Sequence, residues 1–84
     1  MNKVKVYGAG WCGDTQSTLR FLDSLKVDYD YVDVEQDEQA SIWVKQQNDG
    51  KERKPTVKVG EQVLSVPTES ELESALREQG ILKA

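Results

Sequence analysis

The stretch whose reading decides the fold is Val4-Lys5-Val6-Tyr7-Gly8-Ala9-Gly10-Trp11-Cys12-Gly13-Asp14-Thr15. Its first four residues alternate β-branched or aromatic side chains with lysine and predict a short strand, which Gly8-Ala9-Gly10 turns into a flexible loop. From Asp14 onward the apolar positions Leu19, Leu22 and Leu25, with Phe21 beside them, recur at three-residue spacing and predict an amphipathic helix to about Leu25. Cys12 therefore falls at or just before a helix N-terminus. Working outward, Tyr29-Asp30-Tyr31-Val32-Asp33-Val34 predicts a second strand from its aromatic and β-branched content. Asp37-Glu38 opens a helix with Ala40, Trp43 and Val44 on one face, ending before Asn48-Asp49-Gly50. Thr56-Val57-Lys58-Val59, Gly60-Glu61 and Gln62-Val63-Leu64-Ser65-Val66 form a hairpin pattern. Thr68-Glu69-Ser70-Glu71 matches a capping box, and Leu72, Ala75 and Leu76 follow as the apolar face of a last helix that Gly80 stops.

The order β-α-β-α-β-β-α predicts an α/β fold with a four-stranded mixed sheet flanked by helices, its parallel pair joined by a right-handed crossover. Residues 1–84 are expected to form a single domain, because so short a chain cannot build two cores. Near this lower size limit domains often rely on disulfides or metals, but one cysteine and no histidine supply neither an internal disulfide nor a zinc site of the usual type. The same count excludes histidine-based acid–base catalysis. A net charge of −4 has the wrong sign for counterion-release binding, so no nucleic-acid partner is expected. The stretch Met1–Tyr7 lacks the apolar core of a signal peptide, and no run reaches membrane-spanning length, which predicts a soluble cytoplasmic protein with no membrane partner. A lone thiol fits that reducing compartment.

The residues around Cys12 carry the chemistry. Unpaired N–H groups and the helix dipole at a helix start favour the thiolate, the working nucleophile. The competing reading is a small buried cysteine packed as a hydrophobe, against which stand Gly8, Gly10 and Gly13, residues that clear side chains from around the sulfur. Thr15, one turn on, either donates its hydroxyl to the thiolate or caps the helix. Asp14 works against ionisation unless its carboxylate turns away. Trp43 reads as core or as partial cover for it, and Trp11 as a wall beside the sulfur rather than plain packing.

Taken together, Val6 to Thr15, Val32-Asp33-Val34-Glu35, Pro55-Thr56-Val57 and Thr68-Glu69-Ser70-Glu71 resemble the glutaredoxin family, in family order and spacing over nearly the whole chain. Trp11-Cys12-Gly13 and Pro55-Thr56-Val57-Lys58 are most similar to its mycoredoxin branch. The resemblance implies a thioredoxin-like fold and thiol–disulfide exchange, with Cys12 the catalytic nucleophile supported by Gly13 and Thr15. It implies that Pro55 is a cis-proline facing Cys12 and presenting the Lys54 backbone to a disulfide, the alternative being a trans proline that starts an edge strand.

The departures from the family pattern are informative. Thr15 stands where dithiol members have a second cysteine, so exchange must be monothiol. Ala9 replaces a lysine found near the thiolate in many relatives, though not in mycoredoxins. Arg53-Lys54 replaces Thr-Val before the proline and, with Lys51, forms a basic cluster expected either to be solvated or to attract an anionic thiol and stabilise the Cys12 thiolate. Val66-Pro67 replaces a glycine pair, leaving Thr68, Glu69 and Ser70 where relatives bind the terminal amino-acid group of the small thiol.

The implied function is a monothiol oxidoreductase, expected as a monomer, that reduces protein mixed disulfides. Its co-substrate would be a low-molecular-weight thiol (glutathione, mycothiol or bacillithiol), bound through Trp11, Arg53, Lys54, Pro55, Thr68, Glu69 and Ser70, with no metal. Two alternatives belong to other classes. One is a [2Fe–2S] carrier bridging two subunits, against which Asp14 counts; the other is a redox-fold adaptor without catalysis.

Overall fold

A computed structural model describes residues 2–83; Met1, where the stretch read for a leader begins, and Ala84 lie outside them. The alternation that opens the chain becomes strand β1 (Val4–Gly8), with Val4 and Val6 almost completely buried and Lys5 and Tyr7 half-buried on the other face. It leads into helix α1 (Gly13–Ser24), strand β2 (Asp30–Asp33), helix α2 (Glu38–Gln47), strands β3 (Thr56–Val59) and β4 (Gln62–Ser65), and helix α3 (Glu69–Glu78). The expected order is the one observed.

The sheet runs β2-β1-β3-β4, with β1 and β2 parallel and the other two pairs antiparallel. Period-two alternation sends Val4 and Val6 of β1 and Val57 and Val59 of β3 to one face, where they pack with Leu22 of α1 and Leu72, Ala75 and Leu76 of α3. Burial of each such side chain contributes about 1.5–3 kcal/mol, so this cluster supplies much of the fold's driving force. On the opposite face Ala40 and Val44 of α2 pack with Val34, and Tyr7, Val32 and Trp43 close over them. Trp43 is thus the cover of the smaller core, its ring 4.6 Å from that of Tyr7.

Local chemistry sets the helix ends. The Asp37 side chain accepts from the Ala40 N–H and caps α2. The capping box of α3 is complete: Thr68 Oγ1 accepts from the Glu71 N–H at 3.1 Å, and the Glu71 carboxylate accepts from the Thr68 N–H at 2.9 Å. Such caps stabilise a helix by about 1 kcal/mol.

Two boundaries differ from expectation. Strand β2 is shorter than Tyr29–Val34, because Tyr29 leaves the ladder to pack against the larger core. Val66 is not part of β4; it takes a φ of 45°, a left-handed conformation that strains a β-branched residue, while its N–H donates to the Pro55 carbonyl at 2.8 Å. That bond redirects the chain from the sheet edge to the start of α3.

Candidate active site

Strand β1 and helix α1 bring Cys12 to its place. The Cys12 N–H donates to the Ala9 carbonyl at 3.0 Å, closing the loop, and the Cys12 carbonyl accepts from the Gln16 N–H to begin the helix. Cys12 is the N-cap of α1, yet no side chain occupies the capping position, so the helix N–H groups remain free to face the sulfur. The thiol is partly exposed, which removes the reading of a buried packing cysteine.

The surroundings lower the Cys12 pKa. The backbone N–H of Thr15 is the largest cause, helped by the Thr15 hydroxyl and the Asp14 N–H, and opposed by partial desolvation and the Asp14 carboxylate. Thr15 therefore acts on the sulfur and does not cap. Its side chain is fully buried, and Oγ1 also accepts from the Ala9 N–H at 3.4 Å. The donors that lower the pKa belong to Thr15 and Asp14, while Gly13 begins the helix and leaves open space where a Cβ would stand. Because the pKa is lowered, the thiolate fraction near neutrality exceeds that of a free cysteine. Iodoacetamide alkylation followed against pH checks the causes separately. Thr15→Val should move the midpoint up and Asp14→Asn should move it down; unchanged midpoints in both would remove the side-chain contributions and leave the backbone donors alone to favour the thiolate.

Across the groove, the Lys54–Pro55 peptide is cis, and the Cys12 thiol reaches the Lys54 carbonyl at 3.8 Å. That contact belongs to the protonated thiol, since an ionised sulfur has no hydrogen to donate. Pro55 also lines a cavity of about 190 Å³, with Asp14, Phe21, Pro67, Thr68 and Glu69, and with Thr18, Val66 and Leu72 among its other walls. Its charged side chains are both acidic.

Outside that lining stands Trp11, 66% exposed, with its indole N–H donating to Glu35 Oε1 at 2.9 Å and the Lys54 ammonium 5.1 Å from its ring centroid. Lys54 is paired in turn with Glu52 at 3.1 Å. The Ser41 hydroxyl, followed by Lys54, holds the Glu52 carboxyl below its ordinary pKa, so Glu52 is a fixed anion at neutral pH.

The residues expected to bind a small thiol are thus divided. Pro55, Thr68 and Glu69 line the cavity, Trp11 and Lys54 stand together outside it, and Ser70 is exposed and not part of its wall. Arg53 is exposed and lines a separate depression with Asn48, Asp49 and Lys51. The basic cluster expected beside the sulfur is therefore not a unit, and the causes that lower the Cys12 pKa are the donors of α1 rather than these cations. Tyr31 was read only as strand content. Its phenol pKa is raised by burial and then by the charges of Asp33, Glu35 and Cys12. The signal for it is the parallel register that sets Tyr31 beside Val6 on the strand leading to the site.

A glutaredoxin profile matches residues 4–64, well over half of the chain. The chain belongs to the glutaredoxin family. Mycoredoxin 1 from two strains of Corynebacterium glutamicum is 45% identical over 58 residues, covering 69% of this chain and 71% of that protein. Among solved structures, a glutaredoxin from Archaeoglobus fulgidus superposes with a TM-score of 0.75 at 23% identity, covering 92% of this chain and 88% of that one. A glutaredoxin from Methanosarcina mazei Go1 gives 0.66 at 28% identity, covering 92% and 76%. The thioredoxin-like fold and the mycoredoxin-like character are established by these relationships. As a glutaredoxin the chain is a thiol–disulfide oxidoreductase whose family uses glutathione-like thiols as co-substrates and disulfides of protein thiols as substrates. Among the described residues no helix is long and apolar enough to cross a membrane.

Proposed function

We propose that this glutaredoxin reduces mixed disulfides between proteins and a small thiol by a monothiol route, with Cys12 as nucleophile. The observation that carries the reading is a partly exposed sulfur, its ionisation favoured by the start of α1, 3.8 Å from the carbonyl that precedes Pro55, a residue that also lines a cavity of about 190 Å³. The Cys12 thiolate attacks the small-thiol sulfur, the protein sulfur leaves as thiolate, and Cys12 becomes disulfide-bonded to the small thiol. A second small-thiol molecule then attacks that small-thiol sulfur, forming a symmetric disulfide and returning the Cys12 thiolate. With a single cysteine in the chain, no internal resolving step competes.

Charge favours mycothiol. A carboxylate brought within about 4 Å of Asp14 or Glu69 meets a repulsion of about 1–4 kcal/mol, more than the roughly 0.3–1 kcal/mol that a helix N-terminus returns. The Thr68 N–H cannot offset the difference, because it already donates to Glu71 in the capping box; its hydroxyl accepts there and adds at most one neutral donor. Glutathione and bacillithiol both carry carboxylates, whereas mycothiol has no ionised group besides its thiol. The name of the 45% identical relative, Mycoredoxin 1, agrees with that order. Parallel turnover with the three mixed disulfides should give a kcat/KM for mycothiol at least about tenfold above the others. A preference for glutathione would overturn the choice of thiol, and failure with all three would overturn the reaction.

A further inference from the structure

Trp11 is two-thirds exposed yet held from two directions, and the holding groups come from parts of the chain far apart in sequence. Glu35, just beyond β2, accepts the indole N–H at 2.9 Å. The Lys54 ammonium lies 5.1 Å from the ring centroid. Its direction is set by Glu52 at 3.1 Å, and Glu52 is anchored by the Ser41 hydroxyl of α2 at 2.5 Å. The Lys54 and Glu52 side chains are only 18% and 25% exposed, so this is a sheltered pair rather than two solvated ends. An isolated surface ion pair contributes little, but one that also aims a cation at an aromatic ring fixes a geometry.

From this arrangement we infer that Glu52 and Ser41 are positioning residues, which act through Lys54 to hold Trp11 as a fixed wall for the protein half of the mixed disulfide. The lining of the cavity carries the assignment. The cavity that accommodates a small thiol is walled by α1, Pro55 and the start of α3, and Trp11 is not part of it. A disulfide laid across Cys12 with its small-thiol half in that cavity leaves its protein half outside it, where Trp11 and Lys54 stand together. A ring clamped there presents its surface to the approaching polypeptide without first losing rotamer freedom. This inference rests on the oxidoreductase reading above.

Two measurements test it. The two tryptophans give two indole N–H signals in 15N-labelled protein, and Trp11→Phe identifies which is which. In the wild type the Trp11 heteronuclear NOE should match that of the structured backbone. In Glu52→Gln and Lys54→Met it should fall while the Trp43 value stays, and Lys54→Arg should retain it, because a guanidinium also stacks on the ring. Kinetically, Glu52→Gln should raise KM about fivefold for a mycothiolated protein substrate, with kcat little changed and with no change in KM for a small mixed disulfide of mycothiol. A Trp11 signal that stays rigid in both Glu52→Gln and Lys54→Met overturns the clamp. A KM that rises equally for protein and small disulfides overturns the assignment to the protein half. A wild type inactive on every mixed disulfide overturns the oxidoreductase reading and the assignment together, while the NOE still decides the clamp.

Discussion

Cys12→Ser is expected to lower turnover of a protein mixed disulfide by at least about a thousandfold, with the fold intact by circular dichroism. A serine hydroxyl is not ionised near neutrality, so the donors of Thr15 and Asp14 then have no anion to stabilise and no sulfur can accept the small thiol. With no second cysteine to take over, residual activity should match the uncatalysed exchange between free thiol and substrate. Activity within about tenfold of the wild type would mean that the chemistry lies elsewhere.

The largest effect on stability is expected at Gly8. Its backbone lies against the buried Thr15 side chain, and a Cβ there would overlap Oγ1 and stand 2.6 Å from Cγ2. Neither neighbour can move far, because Thr15 is fully buried and Gly8 belongs to the central strand β1. Overpacking of this kind costs about 1–3 kcal/mol, and for a domain of this size each kcal/mol lowers the melting temperature by roughly 4–8 °C. Gly8→Ala should therefore melt well below the wild type. Combining it with Thr15→Ala should recover part of the loss, since Oγ1 and Cγ2 are then gone. Strictly additive losses in the double variant would show that the contact is not the cause. The site and the core meet at this one packing contact: the residue that lowers the Cys12 pKa is seated by a glycine of the strand behind it.

The parts of the molecule legible in the sequence are those governed by local rules. Alternation over Val4–Tyr7 identifies β1, the Thr68–Glu71 box identifies the start of α3, and the glycine-flanked Cys12 marks the loop-to-helix junction. The residues misjudged are those whose partners come from far along the chain. Arg53 and Lys54 are adjacent and both basic, so they read as one patch; the turn into Pro55 sends Lys54 to Trp11 and Glu52 and Arg53 to a separate surface. Gly8 reads as clearance for the sulfur, whereas its actual neighbour is the Thr15 side chain, which only the packing of α1 on β1 reveals. Tyr31 stands beside Val6 through a register that no single segment encodes.

Exchange through one sulfur is most directly tested by trapping the intermediate. Wild-type protein mixed with a mycothiolated substrate, quenched in acid within one turnover and weighed intact, should carry one mycothiol in disulfide linkage on Cys12. The adduct should disappear when free mycothiol is added before the quench. Release of the substrate's thiol with no adduct on Cys12 at any time would contradict the mechanism.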